Sequence, residues 1–167
     1  MPDRPVRVLF LCLGNICRSP LAEGLFQRLV DDAGLGGSIE VASAGTGPWH
    51  VGEPPDRRMQ ATAARHGVDL SRLRGRQLSP SDLDYFDYIL AMDGDNLRGA
   101  RALGSPRGTV ERFRSFDPEP GDGDVPDPYY GGGDGFERVY ETVDRTTRAL
   151  LRRLVDVHAL QASNPPV

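Results

Sequence analysis

The chain has 167 residues, 38% hydrophobic and 26% charged, with a formal net charge of −4. That fits one globular domain with a real core and excludes a general nucleic-acid binder. It contains two cysteines and no lysine, which excludes Schiff-base chemistry, an intact G-x-x-x-x-G-K-[ST] nucleotide loop, a disulfide scaffold and a Cys₄ zinc site.

Residues 6–11 (VRVLFL) form a nearly continuous apolar run, which predicts a strand buried on both faces. A turn follows, Cys12-Leu13-Gly14-Asn15-Ile16-Cys17-Arg18-Ser19-Pro20. From 21 to 32 the apolar residues recur at helical spacing, with Ser19-Pro20 as a start signal and Gly34 as a stop. Residues 39–42 (IEVA) predict a second strand, and 43–55 a turn-rich stretch. Residues 56–65 predict a helix ended by Gly67, and a polar connection carrying Arg72, Arg74 and Arg76 comes next. Residues 88–92 (YILAM) predict the third strand, 93–103 a helix, and 109–113 a weaker fourth strand. Strands alternating with helices argue for an α/β fold with a parallel sheet.

Residues 117–135 are different: six acidic residues, no basic one, and ten Gly or Pro. A segment this long without regular structure usually serves function or is disordered. Residues 136–158 predict a long helix with an apolar face of Phe136, Val139, Tyr140, Val143, Leu150, Leu151, Leu154 and Val157. One domain over 1–160 is expected, with a frayed tail over 161–167. No apolar run approaches the ~18 residues of a membrane span, and the N-terminal apolar stretch is too short for a signal peptide. A cytoplasmic protein with reduced thiols is the expectation.

The strand–loop–helix unit carries Cys12-x₅-Arg18-Ser19. A loop entering a helix N-terminus points backbone N–H groups into one concavity, and the helix dipole adds positive character. Gly14 permits a tight path and Asn15 tolerates a left-handed conformation. Such a nest binds a tetrahedral oxyanion, and Arg18 adds a planar grip on two of its oxygens. A cysteine thiol beside a helix N-terminus and an arginine can become a nucleophile at neutral pH. Neither His50 nor His66 stands at metal-ligand spacing from Cys12 and Cys17.

The run CLGNICRSPLAEGLF resembles the signature of the low-molecular-weight protein tyrosine phosphatases. Further segments match in the family's order: Ser43-Ala44-Gly45-Thr46 with Trp49 and Gly52, Ala91-Met92-Asp93 with Asn96, and Asp127-Pro128-Tyr129-Tyr130-Gly131 inside the acidic stretch. The resemblance implies a single-domain doubly wound sheet of four parallel strands, with the site at the strand C-termini near the switch point. It implies hydrolysis of protein phosphotyrosine, with Cys12 as nucleophile, Arg18 as phosphate grip and Asp127 as general acid and base. Leu13, Gly14, Asn15, Ile16, Cys17, Arg18 and Ser19 would bind phosphate. Trp49, Tyr129 and Tyr130 would wall the substrate slot, and Ser43 and His66 would support Asn15.

No metal or cofactor is implied. Phosphate and vanadate are the expected competitive ligands, phosphotyrosine proteins the partners, and a monomer the expected state; neither nucleic acid nor membrane is a partner. Arginine phosphatases of similar sequence tend to carry Thr where this chain has Ile16, which favours tyrosine. An arsenate reductase is the runner-up enzyme: relatives of the same fold relay electrons through further cysteines, absent here beyond Cys17, so it would need an external small thiol, and Trp49 and Tyr129-Tyr130 argue against it. A redox-regulated phosphate-binding module is the non-enzymatic alternative, with Cys17 as a disulfide partner that spares Cys12 from over-oxidation.

Overall fold

The computed structural model describes residues 4–129 and 134–162. Its elements are β1 (Val6–Cys12), α1 (Arg18–Asp32), β2 (Ile39–Gly45), α2 (Arg57–Arg65), α3 (Pro80–Tyr85), β3 (Tyr88–Ala91), α4 (Gly94–Arg101), β4 (Thr109–Arg112), a 3₁₀ turn Phe113–Phe116, and α5 (Gly135–His158). The four strands form one parallel sheet in the order β2-β1-β3-β4. The chain leaves β1 for one neighbour and later returns to the other side, so the switch point lies at the C-terminal end of β1.

Alternation along β1 divides the core. Val6, Val8, Phe10 and Cys12 face α1 and α5, where Phe10 meets Phe26 and Phe113 edge-on. Leu9 and Leu11 face the opposite layer, with Leu83, Phe86 and Ala100 of the α3–α4 side. Apart from the half-buried Arg7, both faces of β1 are therefore dry, as its apolar run predicts.

Several boundaries differ from expectation. β1 extends to Cys12 and β2 to Gly45, because the two remain in parallel register up to the Cys12–Gly45 pair. Four residues expected to be turn, Cys12 and Ser43 to Gly45, are thus strand. β3 stops at Ala91 and β4 at Arg112, where Phe113 begins the 3₁₀ turn. The helix α3 was not expected within the polar connection. Its signal is the sequence Ser79-Pro80-Ser81-Asp82, in which the Asp82 carboxylate accepts from the Ser79 backbone N–H at 2.8 Å. On α5, Val157 is exposed rather than on the apolar face. Thr146 and Thr147 are buried there instead, their hydroxyls donating to the carbonyls of Thr142 and Val143 one turn back.

Helix ends follow local chemistry. Asp56 caps α2 by accepting from the N–H groups of Arg58 and Met59, and Gly67 supplies the left-handed residue beyond its end. Asp93 caps α4 through the Asn96 N–H at 2.8 Å. Among the described residues, no helix is long and apolar enough to cross a membrane.

Candidate active site

The loop 13–17 joins β1 to α1, and its shape follows from where its carbonyls are held. The Cys12 carbonyl accepts from the Thr46 N–H at 2.9 Å, Leu13 from Gly47 at 3.0 Å, and Ile16 from Asp56 at 2.8 Å. In a planar trans peptide the next N–H points the opposite way. Drawing these carbonyls outward turns the amides of Leu13, Gly14 and Cys17 toward the inside of the loop. No side chain caps α1, so its first turn opens on the same concavity. Gly45 makes the fit possible, since a Cβ there would stand 2.9 Å from the Leu13 carbonyl oxygen and 3.1 Å from the Asn15 nitrogen.

Asn15 is the left-handed residue, at φ 58°. Its Oδ1 accepts from the backbone N–H of Arg76 at 3.0 Å, which fixes the amide's orientation. Its Nδ2 then donates both to Ser19 Oγ at 2.8 Å and to Ser43 Oγ at 3.0 Å. Each hydroxyl oxygen is thereby an acceptor, and its own proton must go elsewhere. Ser43 donates to Glu23 Oε1 at 2.6 Å. Ser19 Oγ lies 2.9 Å from Cys12 Sγ and 3.4 Å from the Ala44 carbonyl, so its proton is within reach of the sulfur when that sulfur is a thiolate. Glu23 was not anticipated from the sequence. Burial pushes its carboxyl up, against the Ser43 hydrogen bond and the charge of Arg76.

Arg18 is buried, with 3% of its side chain exposed. Its Nη1 donates to Asp93 Oδ2 at 2.7 Å and to the Val125 carbonyl at 3.0 Å, and its Nη2 reaches Asp127 Oδ2 at 3.5 Å. Burial opposes its charge, but Cys12, Asp93 and Asp127 together raise its pKa. Asp127 in turn accepts from the Tyr129 N–H through Oδ1 at 3.0 Å. For Cys17, burial pushes the thiol up strongly, with Asp56, Cys12 and Asp127 adding to it.

A cavity of about 340 Å³ is lined by Cys12, Arg18, Asp127, Trp49, Tyr129 and His50, with Leu13, Gly14, Ile16 and Cys17 on its loop side. Trp49 stands at the rim with 66% of its surface exposed. Its ring folds back over Gly47, where a Cβ would lie 1.8 Å from the ring. His50 is a second residue the sequence reading left unassigned; it packs on Gly14, and its Nδ1 bonds Glu53. Tyr130 lies outside the described residues. His66 is placed away from the loop: its ring stacks on Tyr140 at 3.7 Å and its Nε2 meets Glu137. The structure brings Ser43 to Asn15 but not His66.

Residues 7–161 match the family model of the low molecular weight phosphotyrosine protein phosphatases. A low molecular weight protein-tyrosine-phosphatase of Streptomyces coelicolor is 47% identical over 150 residues, covering 87% of this chain and 91% of its own. The crystal structure of YfkJ from Bacillus subtilis superposes with a TM-score of 0.87 at 39% identity, over 94% of this chain and 99% of that one. The Drosophila arginine phosphatase DARP superposes with a TM-score of 0.82 at 34% identity, over 87% and 96%. With a family model spanning nearly all of it and a relative this similar over most of its length, the chain belongs to the low molecular weight phosphotyrosine protein phosphatase family.

Proposed function

We propose that this protein hydrolyses phosphotyrosine on proteins through a cysteinyl-phosphate formed on Cys12. The observation that carries the reading is that Cys12, Arg18 and Asp127 line one cavity with Trp49 and Tyr129 as its aromatic walls. A phenyl ring stacked between such walls spans the distance to the sulfur, whereas phosphoserine is too short.

Cys12 Sγ attacks phosphorus in line; an S–P bond forms as the P–O bond to tyrosine breaks. Asp127 passes its proton to the departing phenolate, which leaves poorly without one. Arg18 and the amides of 13–19 hold the equatorial oxygens as charge redistributes, so the phosphoryl charge is met without a metal. Asp127, now ionised, takes a proton from water as that water attacks phosphorus. The S–P bond breaks, phosphate leaves, and the Ser19 hydroxyl donates to the released sulfur. Inorganic phosphate and vanadate, which share the tetrahedral or trigonal oxyanion form, are competitive ligands.

Turnover of aryl phosphates and a phosphotyrosine peptide tests this, with Cys12→Ser and Asp127→Asn as controls. Cys12→Ser abolishes turnover; full activity in that variant refutes the mechanism. Asp127→Asn hurts basic leaving phenols far more than acidic ones; equal losses across the series move the acid elsewhere. Wild type that binds phosphate without turnover favours a binding module.

The likeness to an arginine phosphatase supports one competing substrate. Ile16 lines the cavity with an apolar side chain that disfavours a guanidinium and its water. Phosphotyrosine peptide is therefore turned over faster than phosphoarginine peptide; the reverse order reassigns the substrate.

Both cysteines are unpaired thiols, which fits a reducing cytoplasm. Under peroxide, Cys12 is oxidised to the sulfenic acid with release of water. Attack by Cys17 then forms the Cys12–Cys17 disulfide and releases a second water, the two electrons having gone to peroxide. The raised Cys17 thiol makes the second step slow near neutral pH and faster as pH rises. Mass spectrometry after mild peroxide detects the disulfide; only over-oxidised Cys12 beside free Cys17 overturns the assignment.

A further inference from the structure

Arg58, in the first turn of α2, has no part in the chemistry above, yet it joins the two halves of the site. Its Nε and Nη2 grip Asp56 Oδ1 and Oδ2 at 3.1 and 2.9 Å. The same Nη2 donates to the Tyr129 carbonyl at 3.3 Å. The guanidinium carbon lies 5.3 Å from the centre of the Tyr129 ring and 4.8 Å from that of Phe136. On one side, Asp56 is tied to the phosphate loop by its N–H to the Ile16 carbonyl. On the other, the Tyr129 N–H holds Asp127 Oδ1, leaving Oδ2 turned toward Arg18.

The stretch around Asp127 has no regular structure to hold it. Upstream it is anchored at Val125, whose N–H donates to the Met92 carbonyl at 2.7 Å and whose carbonyl accepts from Arg18. Downstream, Arg58 meets both the backbone and the ring of Tyr129. A planar guanidinium can do this at once: two nitrogens for a carboxylate, one shared with a carbonyl, and a flat face for the rings.

We propose that Arg58, clamped by Asp56, is a positioning residue for the general acid: it registers the Asp127–Tyr129 segment against the phosphate loop. The proposal rests on the phosphatase reading and deepens it. It predicts a loss confined to reactions that need the acid. A phenol that leaves readily needs no proton, so a misaimed Asp127 costs nothing there.

The test is kcat/KM over aryl phosphates from acidic to basic phenols, for wild type, Arg58→Ala, Arg58→Lys and Asp127→Asn, with melting temperatures. Arg58→Ala loses about tenfold on phenyl phosphate, a part of the roughly 10²–10⁴-fold that general acid catalysis contributes. It keeps its rate on dinitrophenyl phosphate and its melting temperature. Arg58→Lys, which keeps the charge without the planar fork, follows alanine. A uniform loss across the series, no loss, or full recovery in Arg58→Lys overturns the proposal. If Asp127→Asn itself shows no steeper leaving-group dependence than wild type, the acid assignment has failed, independently of what Arg58 does.

Discussion

The Arg18 guanidinium donates to Asp93 Oδ2 at 2.7 Å, joining the first turn of α1 to the cap of α4 across the switch point of the sheet. With its Nη1 held there and at the Val125 carbonyl, Arg18 is aimed before any phosphate arrives. Preorganisation of this kind lowers the cost of binding a charged ligand. Asp93→Asn keeps an acceptor for the Asn96 N–H but loses the charge that clamps Arg18. KM and the inhibition constant for inorganic phosphate rise together, by about tenfold if the charge-assisted bond is worth ~1.5 kcal/mol. Steady-state inhibition by phosphate measures it; an unchanged constant removes Asp93 from the recognition of phosphate.

Ser19 gives a second prediction. Asn15 donates to its oxygen, which leaves its proton available to the Cys12 thiolate 2.9 Å away. Ser19→Ala removes a hydrogen bond to a sulfur that leaves as an anion in the second step. Release of phosphate slows by roughly 10–100-fold, the equivalent of ~1.5–3 kcal/mol for a bond to a charged group. Rapid-mixing experiments then show a larger burst of phenol followed by slower turnover. Absence of any burst change places the donor elsewhere.

Gly47 and Trp49 give a third. A methyl group at 47 meets the indole ring, and the exposed ring is free to swing away. Gly47→Ala therefore raises KM for aryl substrates while leaving thermal stability near wild type. Trp49 is the single tryptophan, so its emission reports the swing directly. An unshifted emission spectrum with unchanged KM contradicts the stacked wall.

Asp117 concerns stability. Its carboxylate is fully buried between Arg114 and Arg145, at 2.9 and 2.8 Å, and also accepts from the Glu119 N–H. Burial works to raise its pKa, but Arg145, the Glu119 amide and Arg114 prevail and lower it to about 2. A carboxyl depressed in the folded state stabilises above its unfolded pKa of about 3.9 and loses that contribution as pH falls toward 2. The contribution at pH 7 is on the order of 2 kcal/mol. Asp117→Asn lowers denaturant stability at pH 7 by at least that much and flattens its decline between pH 4 and 2. A variant whose stability falls as steeply as wild type over that window argues against this carboxylate as the acid-sensitive group.

Much of this architecture was legible in the residues. Dry strands announce themselves as apolar runs, and Cys12-x₅-Arg18 between a strand and a helix marks an anion nest before any coordinates exist. What was missed depends on long-range partners. Asp93 stands in a segment that resembles a loop beside the site, but its partner there, Arg18, is set by the sheet order. Glu23 reads as one more polar residue on an amphipathic helix; its burial follows from Ser43, contributed by a neighbouring strand. His66 illustrates the reverse error, since its place near a helix end carries no information about which way the ring turns. It faces α5, where Tyr140 offers a flat surface and Glu137 a charge. The short helix α3 was hidden because six residues are too few to show a period.

The alternation of β1 has a consequence for how this protein can vary. Cys12 reaches the cavity because it shares parity with Phe10 and Val8, while Leu9 and Leu11 serve the other layer. Deleting or inserting one residue in β1 would exchange the two sets. The sulfur would then turn into the α3–α4 layer, behind the sheet and away from the phosphate loop. The aim of the nucleophile is thus a matter of counting: odd changes of length in this strand silence the site, and the hydrophobic core enforces the count.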